Sequence, residues 1–499
     1  MERVADGSAA RPLAGDATLP PAGVAQDSCH DQSRRGPLLD VREAGQSWKH
    51  RRNVQLCMWM GFTSTLFMQT AVGPFLDIYM YKASGSNRLV GAVESVRGIA
   101  QIVAAPFLGT LADRVDRYRL ARFQAVSRAL PVALLAYTVA TDTHWLLYVV
   151  MPLIAVSSHL GDTVRQALLI DNVPDGRDRT KVMSRTFSLR YVGTAAGPIL
   201  QIIVLFCLGG LGTGGDSAKE GWQLPELRLT LIAGCLTYLV GDPASLLFHQ
   251  VAALDASSAS PEASPEATRD SREVEARAAD GPCDATPAEE AVSDWRQDRV
   301  LRCCGGGVRK MWAIPILVEI TFATIILGSG LSVKFFPLYF TEEFGLSPLA
   351  LCALNIAEPL GVALLTQANH KVTRRIGRAA YGMLLMIAAP AALLGVTLST
   401  SMAFVAPVFV LRTSTGRTYI PLFQSIVATC VPPEHRGKFA AMHAFRMSFF
   451  SASAFIGAWL ADRYHSYRPA FLVTAVWQFC CVLLFAPVVA WMPKGARDA

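Results

Sequence analysis

Charged residues are scarce in this chain. Asp, Glu, Lys and Arg make up only 17% of its 499 residues, while 52% are hydrophobic. Because a soluble domain normally carries about a quarter of its residues as charges, this scarcity excludes an ordinary soluble protein and indicates a membrane protein. The net charge of +7 is typical of Lys and Arg held in cytoplasmic loops, and it does not indicate a nucleic-acid partner.

Signatures of catalytic and metal sites are missing as well. The sequence has no P-loop, no HExxH, no GxSxG and no Gly-rich dinucleotide-binding turn. Its 11 cysteines include no CxxC pair and no Cys/His spacing typical of zinc. We therefore expect no enzyme activity, no metal and no cofactor. The lack of a nucleotide site also argues against an ATP-driven pump.

Long apolar segments, by contrast, are abundant. A helix crosses a hydrocarbon core of about 30 Å with about 20 mostly apolar residues. About twelve segments reach that length, in two groups of six: 53–81, 88–112, 119–140, 145–172, 183–209 and 227–250, then 312–340, 347–371, 378–399, 402–430, 437–462 and 467–492. The sequence therefore predicts an all-α membrane protein with about twelve transmembrane helices in two six-helix bundles, residues 51–250 and 309–493.

Two polar segments lie outside these bundles. Residues 1–50 lack the apolar core of a signal peptide and carry several acidic residues, and residues 251–308 are rich in Ser, Pro, Ala, Glu and Asp. Segments of this kind cannot bury enough apolar surface to fold. We expect a disordered cytoplasmic tail at 1–50 and a disordered cytoplasmic linker at 251–308.

Basic residues concentrate in alternate loops. They stand before the first span and after the second, fourth, eighth and tenth: Lys49, Arg51, Arg52, Arg114, Arg117, Arg119, Arg122, Arg177, Arg179, Lys181, Arg185, Lys371, Arg374, Arg375, Arg378, Arg436 and Lys438. The opposite loops are nearly free of Lys and Arg. The positive-inside rule therefore places both termini and the linker in the cytoplasm, and leaves open which membrane holds the protein.

A weak internal repeat relates the two groups of spans. Phe75–Tyr79 ends the first span and Phe335–Tyr339 ends the seventh. The basic loop after the second span recurs after the eighth, and Val173-Pro174 recurs as Val431-Pro432. Repeats in the same order are expected for the parallel halves of a transporter.

The segment Gly109-Thr-Leu-Ala-Asp113-Arg114-Val-Asp116-Arg117 joins spans two and three. Gly109 would permit close helix approach, Asp113 could meet a helix N-terminus or an arginine, and Arg114 and Arg117 could pair with acids or lipid phosphates. The segment resembles the loop signature of the major facilitator superfamily, Gly-x-Leu-x-Asp-Arg-x-Gly-Arg, with an Asp at the next-to-last position. The alternatives are a conformational latch and plain positive-inside anchoring.

A second resemblance lies in span five. Gly193-Thr-Ala-Ala-Gly197-Pro198 is similar to the Gly-x-x-x-Gly-Pro element of antiporter branches of the superfamily, although Gln201 replaces an expected Gly, which weighs against antiport. These residues could act as a hinge or simply pack helices closely. The resemblance covers residues 53–492 and implies the superfamily fold, with a central cavity lined by spans one, two, four, five, seven, eight, ten and eleven.

Ionisable residues inside the spans point to function because each costs about 2.5–3.5 kcal/mol at mid-bilayer. The substrate and coupling candidates are Glu358, Arg97, Glu94, Asp77, Asp162, Arg165, Arg190, Arg412, Arg417 and Arg446. Glu94 and Arg97 could form a structural i,i+3 pair. Glu358 has no such partner on its own helix, so it is either a proton carrier or paired with an arginine on another helix.

Together these features predict a secondary transporter that moves a small organic or anionic solute by alternating access, with proton coupling as one option. The excess of arginines favours an anionic or carboxylated solute. The alternatives are a facilitative uniporter and a transporter-like receptor or scaffold without flux. The expected partners are a small solute, protons and membrane lipids, with no nucleic acid, and the expected state is a monomer.

Overall fold

The computed structural model describes residues 37–173, 177–208, 222–251, 300–303, 306–431, 446 and 449–492. The chain divides into two units, 1–49 and 50–499. The first includes the described start of the first helix, and the second includes the rest of that helix and the other described helices.

The first half of the chain forms seven described helices. They are α1 (Pro37–Ala71), α2 (Pro74–Ser84), α3 (Asn87–Arg114), α4 (Arg117–Thr141), α5 (Leu147–Asp171), α6 (Arg177–Cys207) and α7 (Leu224–Gly241). Short 3-10 turns, His144–Leu146 and Asp242–Leu247, precede α5 and follow α7. Helices α1 and α2 together make up the first predicted span.

The second half repeats this arrangement. Its described helices are α8 (Lys310–Val333), α9 (Phe336–Glu342), α10 (Pro348–Ile376), α11 (Arg378–Leu398), α12 (Met402–Cys430), α13 (Ala454–Tyr464) and α14 (Arg468–Trp491). Helices α8 and α9 make up the seventh span, and α13 is the described end of the eleventh.

Spans one and seven are both broken near the same level. The first breaks between Ala71 and Pro74, and the seventh between Val333 and Phe336. Each second piece carries a proline in its first turn, Pro74 or Pro337. Proline suits the first turn because it has no N–H to leave unsatisfied. The breaks are therefore a shared feature of the two halves.

Nine of the described helices or helix pairs are long and apolar enough to cross a membrane. They confirm a multi-pass helical membrane protein. The full count of twelve stays a prediction: the first span is broken, α12 carries Arg412 and Arg417, and the eleventh span lies partly outside the described residues.

Two polar segments contain more structure than the composition predicts. Helix α1 begins at Pro37, inside the segment expected to be a disordered tail. Val300–Cys303 and Gly306–Arg309 pair as a short antiparallel hairpin inside the predicted linker. The rest of the linker, from 252 to 299, lies outside the described residues.

The buried tyrosines of the repeat anchor one end of the bundle. Tyr79 donates to Asp142 Oδ1 at 2.8 Å, and Tyr339 donates to the backbone carbonyl of Val396 at 3.1 Å. Each bond joins the end of span one or seven to the end of span three or nine. We call this end, where α2 stops and α3 starts, the upper end. The opposite end carries Arg117 and Arg378 and is called the lower end.

The contacts between the halves that the described residues make lie toward the upper end. Helix α3 packs against α13, α2 against α9, and α6 against α10. A Cβ atom at Gly91 would lie 2.4 Å from the Cβ of Ala458, so only glycine allows this approach. Trp222 Nε1 donates to the Leu346 carbonyl at 2.7 Å across the same boundary. The two halves are thus held together where α2 and α3 meet.

Candidate functional site

One polar cluster lies inside the first half, at mid-span in α5 and α6. Arg165 Nη2 lies 2.7 Å from Asp162 Oδ1, and Arg190 Nη2 lies 3.5 Å from Asp162 Oδ2. Arg165 is buried, whereas the side chains of Asp162 and Arg190 are 38% and 28% exposed. A partly exposed ion pair at this depth is typical of a side chain facing a water-filled cavity rather than lipid.

A matching pair lies inside the second half. Arg417 of α12 lies 3.5 Å from Glu358 of α10, with side-chain exposures of 35% and 16%. Of the two alternatives for Glu358, the structure shows the ion pair with an arginine on another helix. We call Arg190–Asp162 and Arg417–Glu358 the lumenal pairs.

The crossing of α6 and α10 places both lumenal pairs below the same contact. The Cys352 thiol donates to Gln201 Oε1 at 3.9 Å near the upper ends of these helices. At 1.5 Å of rise per residue, Arg190 lies about 16 Å below Gln201, and Glu358 lies about 9 Å below Cys352. Both lumenal pairs therefore lie at levels below this contact between the halves.

A second polar group, the interface cluster, bridges the two halves. It comprises Asp77 of α2, Glu94 and Arg97 of α3, Lys334 at the break in span seven, and Ser451. Lys334 Nζ lies 3.6 Å from Asp77 Oδ1 and 3.3 Å from Glu94 Oε2. Arg97 pairs with Glu94 at 3.1 Å, and the Ser451 hydroxyl donates to Glu94 at 2.5 Å. The predicted i,i+3 pair is present as part of this larger cluster.

The other buried arginines serve packing within each half. Arg128 Nη1 lies 2.7 Å from Asp242 Oδ2, with its guanidinium over the Phe67 ring. Arg446 pairs with Glu319 and stacks on Phe322. Such pairs in water-poor surroundings hold helices in place, because removing one partner leaves a buried charge.

Arg412 is the exception among the predicted arginines. It is buried and lies over the Phe336 ring at 4.9 Å, and no carboxylate pairs with it in the described part of the chain. The sequence predicted an excess of arginines in the cavity. In the structure, four of them pair with carboxylates: Arg165, Arg190, Arg417 and Arg446.

The predicted latch is brought together only in part. Arg117, at the start of α4, pairs with Asp171 at the end of α5. Arg114 is exposed, and the side chain of Asp113 lies outside the described residues. The close approach expected at Gly109 is not found, because an added Cβ atom there would meet nothing within 4 Å in the described structure.

The glycines of span five pack against span one. A Cβ atom at Gly193 would lie 2.3 Å from Thr65 Oγ1, and one at Gly197 would lie 2.5 Å from the Gln69 Cβ. Pro198 follows inside the continuous helix α6. Of the two alternatives, close helix packing is therefore the one visible in the structure.

Lys334 and Ser451 are not among the substrate and coupling candidates that the sequence suggests. Lys334 carries a usable signal, since an unpaired lysine stands directly before the repeated Phe335–Tyr339 segment. Ser451 carries none, because a serine in an apolar helix is common as helix–helix contact. The acceptor that Ser451 binds comes from a distant span and is not readable from the sequence.

Comparison with known proteins agrees with this architecture. The family model described as Major Facilitator Superfamily matches residues 58–455. A relative, the multidrug resistance protein MdtG of Serratia proteamaculans (strain 568), is 28% identical over 200 residues, which is 37% of this chain and 47% of the relative. The chain therefore spans about half the length of that curated relative.

Solved structures share the fold at low identity. The nucleoside transporter NupG (D323A mutant) superposes with a TM-score of 0.58 at 12% identity, covering 87% of this chain and 99% of NupG. A bacterial homolog of the human lysosomal transporter Spinster, inward-facing and unoccupied, gives 0.55 at 12%, covering 90% and 98%. At this identity the matches show the shared fold. From the extent of the family match, this chain belongs to the major facilitator superfamily.

Proposed function

We propose that the protein is a secondary transporter that moves a small organic anion across a membrane by alternating access. The observation that carries the proposal is that each half holds one lumenal pair, Arg190–Asp162 in the first and Arg417–Glu358 in the second. Both are long, at 3.5 Å, and partly exposed. The pairs that hold the bundle together, such as Arg128–Asp242 at 2.7 Å, are shorter and buried. A solute can replace one partner of such a pair at little energetic cost, because a long and partly exposed ion pair contributes little to stability.

The charge around the lumenal pairs favours an anion. Asp162 is shared by Arg165 and Arg190, while Glu358 pairs with Arg417. Three cations against two carboxylates leave a net charge of +1. An arginine fork binds a carboxylate or phosphate oxygen pair well, so a solute with one negative charge would neutralise the site.

The two halves supply what alternating access requires. The lumenal pairs come from α5 and α6 in one half and from α10 and α12 in the other. The described contacts between the halves lie at the upper end, where they keep that end closed. The positive-inside rule assigns the lower end, with Arg117 and Arg378, to the cytoplasm, together with both chain termini and the linker.

Binding and flux measurements test the proposal. Purified protein would be titrated with benzoate, succinate, glucose and the lipophilic cation tetraphenylphosphonium. The melting temperature would be measured at each ligand concentration. A ligand at a hundred times its Kd stabilises the fold by about 2.7 kcal/mol. We expect the carboxylates to raise the melting temperature, and Arg190→Gln and Arg417→Gln to abolish the effect. Arg119→Gln, a change at an exposed arginine, is the control and should keep it.

Proteoliposomes then separate a transporter from a receptor. The stabilising carboxylate, radiolabelled, should exchange across the bilayer in protein-containing vesicles and not in Arg190→Gln vesicles. Binding without exchange would support the receptor alternative, and exchange without accumulation under a pH gradient would support a uniporter.

Drug export is a second candidate. The observation that favours it is the likeness to MdtG, whose name describes multidrug resistance. Stabilisation and exchange of tetraphenylphosphonium, with none for the carboxylates, would replace the anion proposal with this one.

A further inference from the structure

The interface cluster contains a cation that belongs to the opposite half of the molecule. Asp77 and Glu94 lie on α2 and α3 of the first half and are only 4% and 2% exposed. The ammonium between them is that of Lys334, which lies in the second half at the break of span seven. If the halves separate at the upper end, as alternating access requires, Lys334 leaves with the second half.

We propose that Lys334 is a tethered counter-ion, and that Asp77 takes up one proton when the upper end opens. With the halves closed, Asp77, Glu94, Arg97 and Lys334 sum to zero. Without Lys334, the first half holds two carboxylates and Arg97, a net charge of −1. A carboxylate inside a membrane span without a counter-ion is costly, and binding one proton restores neutrality. Opening therefore binds a proton and closing releases it.

Asp77 is the carboxylate that takes the proton, because Glu94 keeps partners when Lys334 departs. Arg97 lies on the same helix as Glu94, 3.1 Å away. Asp77 pairs with Lys334, its one ion-pair partner among the described residues. The charged groups that surround Asp77, counted over all the helices packed against it, are Lys334, Glu94 and Arg97. A metal ion is disfavoured since hard cations need six or more oxygens, and one free carboxylate supplies too few.

The inference rests on the proposed alternating access and needs no knowledge of the solute. Spin labels on Thr141→Cys and Thr400→Cys, both exposed at the upper ends of the two halves, would report their separation in a variant without other cysteines. Double electron–electron resonance measures the distance between the two spin labels in nanodiscs. Repeating it between pH 5 and pH 9 gives the ratio of open to closed forms at each pH. Since one proton links the two forms, this ratio should rise up to about tenfold for each unit that pH falls.

Charge variants assign the effect to named residues. Asp77→Asn should favour the open form at every pH, because the closed cluster then carries an extra positive charge and the open one is neutral. Lys334→Met should remove the pH dependence, since both forms then need the proton, whereas Lys334→Arg should retain it. The control is Lys82→Met, which removes another Lys–carboxylate pair between the halves, Lys82–Glu342 at 3.2 Å. It should shift the ratio without changing its slope.

Several outcomes would overturn the inference while leaving the transport proposal intact. They are a ratio that does not change with pH although both forms are populated, an unchanged slope in Asp77→Asn, and a shift caused by Na⁺ in place of K⁺ at fixed pH. A single closed form at every pH, in every variant and with no flux of any tested solute, would instead contradict alternating access itself.

Discussion

At the scale of single residues, the ion pairs divide by burial and length into those that hold the bundle and those that can exchange partners. Arg128 represents the first group: its side chain and that of Asp242 are 2% and 7% exposed. Burying two charges is costly, and losing one partner leaves the other uncompensated. Arg190 and Arg417 represent the second group, with side chains that are 28% and 35% exposed.

Asp242→Asn should therefore be strongly destabilising. We expect a loss of about 3–5 kcal/mol, because the Arg128 charge stays buried without its carboxylate. Unfolding by SDS in mixed micelles would measure it. Lys82→Met breaks a half-exposed pair and should cost less than about 1 kcal/mol. Equal losses in the two variants would contradict the division by burial.

The sequence predicts which residues are charged inside the membrane, but not their partners. Glu94 and Arg97 could be paired from the sequence because they lie one helical turn apart. The partner of Glu358 comes from a different helix, and either arginine of α12 would have fitted the pattern. Only the packing of α10 against α12 selects Arg417.

At the scale of helices, the apolar segments predicted most boundaries closely. The expected spans 119–140 and 378–399 correspond to Arg117–Thr141 and Arg378–Leu398. The breaks in spans one and seven were not predicted, because hydropathy carries no information on backbone direction. The packing role of Gly193 was left open for the same reason, since close approach depends on which helix lies opposite.

Gly193→Ala tests that packing. The added methyl group would collide with Thr65 Oγ1 and, at 2.5 Å, with the Phe62 carbonyl, so α1 and α6 must move apart. Overpacking of this kind costs about 1–3 kcal/mol, and the melting temperature should fall. Gly109→Ala is the matched control, because an added Cβ atom there would meet no described atom within 4 Å. This variant should gain up to about 1 kcal/mol from helix propensity. An unchanged melting temperature in Gly193→Ala would favour a flexible hinge over close packing.

At the scale of the whole molecule, the structure shows one arrangement of two halves, and no sequence pattern could select it. A transporter uses the same residues in each of its states, so periodicity and composition are identical for all of them. What distinguishes the states is which contacts between halves are made. Here Asp462 of α13 accepts from Ser86 at 3.1 Å, from the Asn87 backbone at 3.2 Å and from Asn87 Nδ2 at 2.8 Å, at the start of α3.

Asp462→Ala should weaken the closed upper end. It removes three hydrogen bonds and the Arg88 ion pair at 3.4 Å. One such hydrogen bond typically contributes about 1 kcal/mol of net stability.

Cys352 is fully buried beside Gln201 at the boundary of the halves, so its reaction with a membrane-impermeant maleimide reports opening. Mass spectrometry distinguishes Cys352 from the other cysteines. We expect labelling to accelerate about tenfold or more, as a shift of about 1.4 kcal/mol or more would give. Arg463→Ala, at the exposed neighbouring position, should leave the rate unchanged. Equal rates in Asp462→Ala and the unmodified protein would mean that the apolar contacts of α3 with α13 alone keep the upper end closed.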